Sequence, residues 1–155
     1  LVRKVVSHAK LDLKKVYPEL HADKPLGTVL LTPTRLYPAP IVRLLRAYKV
    51  KKVVSGMAHI TGGGLEQNLE RVLNPTVDAV LSRKAWDVPE VFGFLQKHGK
   101  IEGGEMDRVF NMGIGYVVIV RPTFAEAVQR KLEKLGEKVC VLGEVRKGTG
   151  AVKLK

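Results

Sequence analysis

A strand pattern that runs directly into three consecutive glycines constrains the fold of this chain more than any other feature. The segment Lys52–Ile60 combines Val, Met, Ala and Ile and predicts a buried strand that ends at Thr61. Gly62, Gly63 and Gly64 follow at once. Apolar side chains then recur at helical spacing, at Leu65, Leu69, Val72 and Leu73. We therefore expect a strand, a tight glycine turn and a helix in direct succession.

The same periodicities and the breaker residues predict the other elements. Helices are expected at 1–6, 37–48, 89–98 and 105–110, and strands at 78–82, 116–120, 138–142, 144–147 and 151–154. A further helix is predicted to begin with a capping box at Thr123 and Glu126 and to end at Gly136. Residues 12–27 predict an ordered loop, and the last two strands a terminal hairpin.

The interleaved order of helices and strands indicates the fold class. Because the two kinds of element do not alternate strictly, the sequence predicts an α/β (α+β) sandwich, with a mixed sheet and helices packed on one face. A length of 155 residues suits a single domain spanning 1–155. The chain begins at Leu1, within a predicted helix and without an initiator methionine, so we expect it to be a fragment.

Charge and cysteine content narrow the class of partners and the compartment. With 27 Lys and Arg against 15 Asp and Glu, the formal net charge is +12, which favours anionic partners. The basic residues are spread over nearly every segment and few aromatic residues are present to stack bases, so nucleic acid is a disfavoured partner. The lone Cys140 excludes an internal disulfide, and no apolar run reaches the roughly 20 residues of a membrane span. A cytoplasmic protein is expected.

The turn Thr61–Gly64 is the first candidate binding site. Glycines let the backbone approach a ligand closely, unpaired N–H groups at a helix start attract phosphate, and Thr61 adds a hydroxyl donor. The turn lacks the lysine of a P-loop and the third glycine of a dinucleotide-binding motif. On spacing alone, a phosphate site and a tight structural turn are equally supported.

Three further residue types suit a polar cleft. His59, beside the glycine turn, suits substrate contact or proton transfer, and equally a backbone hydrogen bond at a strand end. Arg35, next to Thr34, suits a bidentate grip on phosphate or carboxylate, although a lone arginine is more often solvated. Asn111 precedes two nearby glycines and either lines a cleft or forms a turn, and the pattern alone favours the turn.

No metal site is predicted within this chain. Glu102, Glu105 and Asp107 match the spacing of no calcium loop, and acidic residues at a helix start are commonly solvated. The histidines are scattered and have no cysteine partner nearby.

Three segments taken together resemble one known family. They are Leu31–Tyr37 (LTPTRLY), Ala58–Gly64 (AHITGGG) and Phe110–Gly115 (FNMGIG), and their order and separation also match. On these residues the chain resembles the C-terminal domain of aminoimidazole ribonucleotide (AIR) synthetase, also called phosphoribosylformylglycinamidine cyclo-ligase, of the PurM-like superfamily. Asn68 with Arg71 is a smaller match, and the resemblance covers nearly the whole chain.

The resemblance implies a two-domain ligase of de novo purine biosynthesis. In that reaction ATP phosphorylates the formyl oxygen of formylglycinamidine ribonucleotide, a substrate nitrogen then closes the imidazole ring, and phosphate leaves. The N-terminal domain, absent from this chain, is implied to bind most of the ATP and Mg²⁺ and to form a homodimer. The isolated chain is therefore expected to fold but to be inactive.

The resemblance also assigns roles to the candidate residues. His59 and Asn111 become the catalytic candidates. The implied substrate- and phosphate-binding residues are Thr34, Arg35, Thr61, Gly62, Gly63 and Gly64.

Two alternatives stay open. One is another ATP-dependent enzyme of the same superfamily, such as formylglycinamidine ribonucleotide synthetase, selenophosphate synthetase or a hydrogenase maturation factor. The other is a basic module that binds nucleic acid electrostatically. Nothing in the implied chemistry explains the net charge of +12.

Overall fold

The computed structural model describes residues 1–155 and shows seven α-helices and five β-strands. The helices are α1 (Val2–His8), α2 (Leu26–Leu30), α3 (Pro38–Ala47), α4 (Gly64–Glu70), α5 (Glu90–Gly99), α6 (Gly103–Val109) and α7 (Ala125–Lys134). The strands are β1 (Val54–His59), β2 (Val77–Leu81), β3 (Tyr116–Val120), β4 (Gly143–Lys147) and β5 (Val152–Leu154). The predicted α/β class is confirmed.

The strands are divided between two sheets. β1 pairs with β3 in antiparallel orientation, which places His59 opposite Tyr116 and Ala58 opposite Val117. The second sheet is mixed, with β2 in its centre, antiparallel to β4 and parallel to β5. The carboxyl end of β1 and the amino end of β3 therefore lie side by side at the same end of the first sheet.

The C-terminal tail corrects the expected hairpin, because β4 and β5 each pair with β2 and not with each other. Asp78 of β2 holds this arrangement. Its carboxylate binds Lys153 Nζ at 2.5 Å and accepts hydrogen bonds from the backbone N–H groups of Thr149 and Ala151, at 2.7 and 3.0 Å. The Lys153 ammonium and these two N–H groups hold the pKa of Asp78 well below its ordinary value. A buried carboxylate thus fixes the tail across β2.

The expected strand at 138–142 is wrong. Val139, Cys140 and Leu142 pack against the hydrophobic core as individual side chains, while their backbone joins no strand ladder. Burial raises the pKa of the Cys140 thiol, which agrees with the inert thiol expected from its apolar neighbours. An apolar run therefore marks burial here without marking a strand.

Two helix predictions also need correction. The loop expected at 12–27 ends earlier than predicted, since α2 begins at Leu26, where Pro25 occupies its N-cap and the Leu26 side chain is fully buried. The predicted capping box does not form, since Thr123 lies inside a 3-10 turn at Pro122–Phe124 and α7 has no side-chain cap. None of the helices has the length and apolar character needed to cross a membrane.

Three hydrophobic clusters hold these elements together. The largest joins α4 to both sheets, the second joins α3 and α7 to the first sheet, and the third joins α5 to residues 17–30. Their buried members include Leu65, Leu69 and Ile60 in the first, Leu44, Val128 and Leu132 in the second, and Leu20, Leu26 and Phe94 in the third. Each Å² of apolar surface that is buried stabilises the fold by roughly 25 cal/mol, so these clusters anchor the loops that carry the candidate residues.

Candidate functional site

The glycine turn between β1 and α4 has two glycines that the fold itself requires. Gly63 and Gly64 adopt φ of +97° and +61°, a region that residues with a side chain rarely occupy. A Cβ atom on Gly64 would also overlap the carbonyl oxygen of Asp107 in α6. Gly62 differs, because its φ lies outside the left-handed region and no atom lies within 4 Å of the place a Cβ would take. The chain alone does not explain the glycine at position 62.

The side-chain amide of Asn68 holds the backbone of this turn in place. Its Nδ2 donates to the carbonyl oxygens of Gly64 at 2.7 Å and Gly62 at 3.2 Å, with the carbonyl of Thr61 at 3.5 Å. Asn68 is buried between leucines on the inner face of α4, where an amide needs partners. The N–H groups of Gly62 and Gly63 find no acceptor in the protein. The carbonyls are thus held by Asn68 while two N–H donors stay available.

In the sequence, Asn68 stands out only as a minor part of the family resemblance. The signal that could have identified it is its position, since it stands on the apolar face of a helix, three residues after Leu65. A polar side chain at such a place is buried only when it is hydrogen-bonded.

The three segments that carry the resemblance meet around Tyr37. Its ring lies 5.8 Å from the ring of His59 and 5.4 Å from that of Tyr116, measured between centroids. His59 and Tyr116 are in turn stacked, 6.1 Å apart with 27° between their planes. The hydroxyl of Tyr37 occupies the space that a side chain on Gly115 would need. LTPTRLY, AHITGGG and FNMGIG therefore form one local structure.

His59 is the exposed member of this aromatic group. It is the last residue of β1, and the following residue, Ile60, is fixed by its N–H bond to the carbonyl of Gly115 at 2.9 Å. Burial, and then the nearby Glu137 carboxylate, raise the pKa of Tyr37, so the tyrosine stays an uncharged neighbour of the imidazole. An exposed imidazole packed against two phenol rings suits contact with a ligand.

Arg35 makes an ion pair that the sequence did not predict. Its Nε donates to Glu137 Oε2 at 2.6 Å, and its Nη2 donates to Glu137 Oε1 at 3.2 Å and to the carbonyl oxygen of Gly136 at 2.6 Å. The hydrogen bonds that Arg35 donates to Glu137, and then the negative charge of that carboxylate, raise the pKa of Arg35. Thr34 and Thr61 are exposed, and neither hydroxyl makes a hydrogen bond within the protein.

Asn111 lies beside a cavity of about 590 Å³ that also contains Gly63 in its wall. Its Oδ1 accepts a hydrogen bond from the N–H of Gly113 at 3.1 Å, so the turn favoured by the sequence pattern is formed. Trp86 lines the same cavity and donates from Nε1 to the carbonyl oxygen of Met112 at 2.9 Å. The carboxamide nitrogen of Asn111 has no partner in the protein.

The predicted site residues thus fall into three groups, and only two of these residues line this cavity. Gly63 and Asn111 line the cavity, and His59 belongs to the aromatic group around Tyr37. Arg35 contacts the segment that follows α7, through its hydrogen bond to the carbonyl oxygen of Gly136. No group of three or more His, Cys, Asp or Glu side chains in the structure is arranged to hold a metal ion. The arrangement offers N–H donors, one imidazole and one guanidinium, which suits an anionic, polar ligand.

Comparison with known proteins identifies relatives of the whole chain. The family model described as AIR synthase related protein, C-terminal domain, matches residues 1–155. Proteins named phosphoribosylformylglycinamidine cyclo-ligase match from Bacillus cytotoxicus (44% identical over 151 residues, 97% of this chain and 42% of the relative) and Desulfitobacterium hafniense (46% over 146 residues, 94% and 40%). The cyclo-ligase of Bacillus subtilis is 41% identical over 151 residues, covering 97% of this chain and 42% of that protein.

The chain spans about two fifths of the length of these relatives. All three relatives carry the same name. Since the family model matches from the first residue to the last, the chain belongs to the AIR synthase related family and corresponds to its C-terminal domain.

Proposed function

We propose that residues 1–155 form the substrate-side domain of a phosphoribosylformylglycinamidine cyclo-ligase. The whole enzyme closes the imidazole ring of aminoimidazole ribonucleotide from formylglycinamidine ribonucleotide at the expense of ATP. The observation that carries the proposal is the meeting of the three resemblance segments around Tyr37, next to the glycine turn. Segments far apart in sequence that converge on exposed polar groups are typical of a ligand site.

The glycine turn is proposed to receive a phosphate group of the substrate. The N–H groups of Gly62 and Gly63 are available, the Thr61 hydroxyl is exposed, and Asn68 keeps the carbonyls turned away. Open space at Gly62 supports this role, because a ligand oxygen approaching the backbone leaves no room for a side chain. Backbone N–H groups of this kind bind phosphate oxygens well.

His59 and Asn111 are proposed to act at the reacting end of the substrate. Ring closure requires a substrate nitrogen to attack the formyl carbon, whose oxygen carries the phosphoryl group, and to lose a proton, after which the C–O bond breaks and phosphate leaves with that oxygen. His59 is proposed to accept that proton, and its exposure and its packing against two tyrosine rings support this role. The free carboxamide N–H groups of Asn111 are suited to hold an oxygen in the cleft.

ATP and Mg²⁺ are assigned mainly to the N-terminal domain. In this chain, no three His, Cys, Asp or Glu side chains are grouped so that they could bind Mg²⁺ together. ATP is a substrate of the proposed reaction. Leu31 and Leu36, on either side of Arg35, are 82% and 78% exposed, so most of their apolar surface is not covered by this chain. We place the N-terminal domain over this apolar surface and the homodimer contact within that domain.

Substitution of Gly62 tests the phosphate site. In the full-length protein, Gly62→Ala is expected to raise the KM for formylglycinamidine ribonucleotide about tenfold or more, because the methyl group occupies the approach to the N–H donors. Gly93→Ala in α5 is the matched control, since its Cβ also meets no atom within 4 Å. An unchanged KM in Gly62→Ala, with the protein folded, would remove the phosphate from this turn.

A further inference from the structure

We propose that Glu137 is a positioning residue that holds the Arg35 guanidinium for an anionic group of the substrate. The inference rests on the proposed function, and it adds a residue, at the end of α7, that lies outside all three resemblance segments. Glu137 itself touches no substrate in this account. Its effect is exerted through Arg35.

The hydrogen bonds of Arg35 leave one face of its guanidinium free. A guanidinium has five N–H donors. Nε and one N–H of Nη2 are taken by the two oxygens of Glu137, and the other N–H of Nη2 is taken by the carbonyl of Gly136. Both N–H groups of Nη1 have no acceptor in the protein. Arg35 is thus fixed on one edge of its guanidinium, while the two N–H donors of Nη1 remain available to oxygens of a phosphate or carboxylate.

Burial of the carboxylate distinguishes this ion pair from the other arginine–carboxylate pairs in the chain. The side chain of Glu137 is 14% exposed, the lowest value among the five carboxylates that pair with an arginine, whereas Arg35 is 55% exposed. A carboxylate that has lost most of its water is costly unless it is paired, so Glu137 stays on Arg35. The exposed guanidinium is therefore held by a partner that cannot easily turn to solvent.

Glu137 follows a well-packed helix, α7, whereas the segment around Arg35 has no regular secondary structure. α7 is anchored by the buried side chains of Val128 and Leu132, and Glu137 follows its end. Residues 32–37 form neither helix nor strand, and Arg35 is joined to Glu137 across 102 residues of sequence. Tyr37, two residues further on, reaches His59. The pair consequently places the guanidinium next to the aromatic group.

Steady-state kinetics of the full-length protein test this role. Arg35→Ala and Glu137→Gln are each expected to raise the KM for formylglycinamidine ribonucleotide about tenfold with a smaller change in kcat, as for a group that binds substrate and transition state alike. In the double variant the KM is expected to equal that of Arg35→Ala alone, because Glu137 acts only through the arginine. Glu126→Gln, which breaks the exposed pair with Arg130 in the same helix, is the control with unchanged KM.

The outcomes separate this inference from the proposed function. A raised KM in Arg35→Ala with an unchanged KM in Glu137→Gln overturns the inference and leaves the proposed function intact. Multiplying effects in the double variant also overturn it, because Glu137 would then act independently. Unchanged KM values in both single variants overturn the inference together with the proposed role of Arg35. If Glu137→Gln does not fold, Glu137→Asp decides, since it keeps the charge but shortens the reach, and an unchanged KM there overturns the inference.

Discussion

Replacing Gly64 by alanine is expected to destabilise the chain by about 2–5 kcal/mol. A residue with a side chain at φ of +61° is strained by about 1–2 kcal/mol. The new methyl group would also overlap the carbonyl oxygen of Asp107 and lie 2.9 Å from its carbonyl carbon. Carbon atoms prefer to be at least about 3.5 Å apart, so α6 must move outward. That overpacking adds about 1–3 kcal/mol, since Leu69 and Met106 lose contacts in the core.

Urea unfolding of the 155-residue chain, followed by circular dichroism, measures this loss. Gly62→Ala is the matched control, because it lacks both the strained φ and the overlap, and its stability is expected to stay within about 1 kcal/mol of the parent. Equal losses in the two variants, or a loss below about 1 kcal/mol in Gly64→Ala, would refute the claim that one glycine serves the fold and the other does not.

Three further predictions follow from the hydrogen bonds and packing of the site and the tail. Asn68→Ala is expected to cost about 1–3 kcal/mol in urea unfolding, and Asn68→Asp is expected to cost more, because it places an acceptor-only carboxylate against three carbonyl oxygens. The reverse order would contradict the assigned donors. The pKa of Asp78 is lowered on folding from its ordinary 3.8, so its stabilising effect is full above that value and is lost as the pH falls toward the folded pKa. The loss in urea midpoint caused by Asp78→Asn should therefore be smaller at about pH 2.5 than at about pH 7. Asp87→Asn, at an exposed position, is the control and is expected to leave the urea midpoint unchanged. Gly115→Ala is expected to displace Tyr37 and to lower kcat of the full-length protein, and an unaltered kcat would show that the aromatic group does not serve catalysis.

Local patterns predicted those elements whose stability depends on their own neighbours. β3 has the predicted bounds of 116–120, and β1 runs into the glycine turn and α4 as expected. α7 buries Val128 and Leu132 of the predicted apolar stripe. In each case one face of an amphipathic element is covered, and the spacing of apolar residues shows which face.

Long-range pairing explains what the sequence did not reveal. The predicted hairpin failed because Asp78, far from the tail in sequence, binds Thr149, Ala151 and Lys153 and places β5 beside β2. In the same way Arg35 finds Glu137 across 102 residues, which no local pattern marks. The choice of partner depends on how the elements pack, whereas their existence depends on local spacing.

Under the proposed function, this chain supplies one part of a composite active site. ADP release from ATP in the presence of formylglycinamidine ribonucleotide tests this proposal when it is measured for the chain alone, for the full-length protein, and for the chain mixed with its separately produced N-terminal domain. We expect substrate-dependent ADP release by the full-length protein and by the mixture, and none by the chain alone. Turnover by the chain alone, or no turnover by the full-length protein, would contradict the proposal.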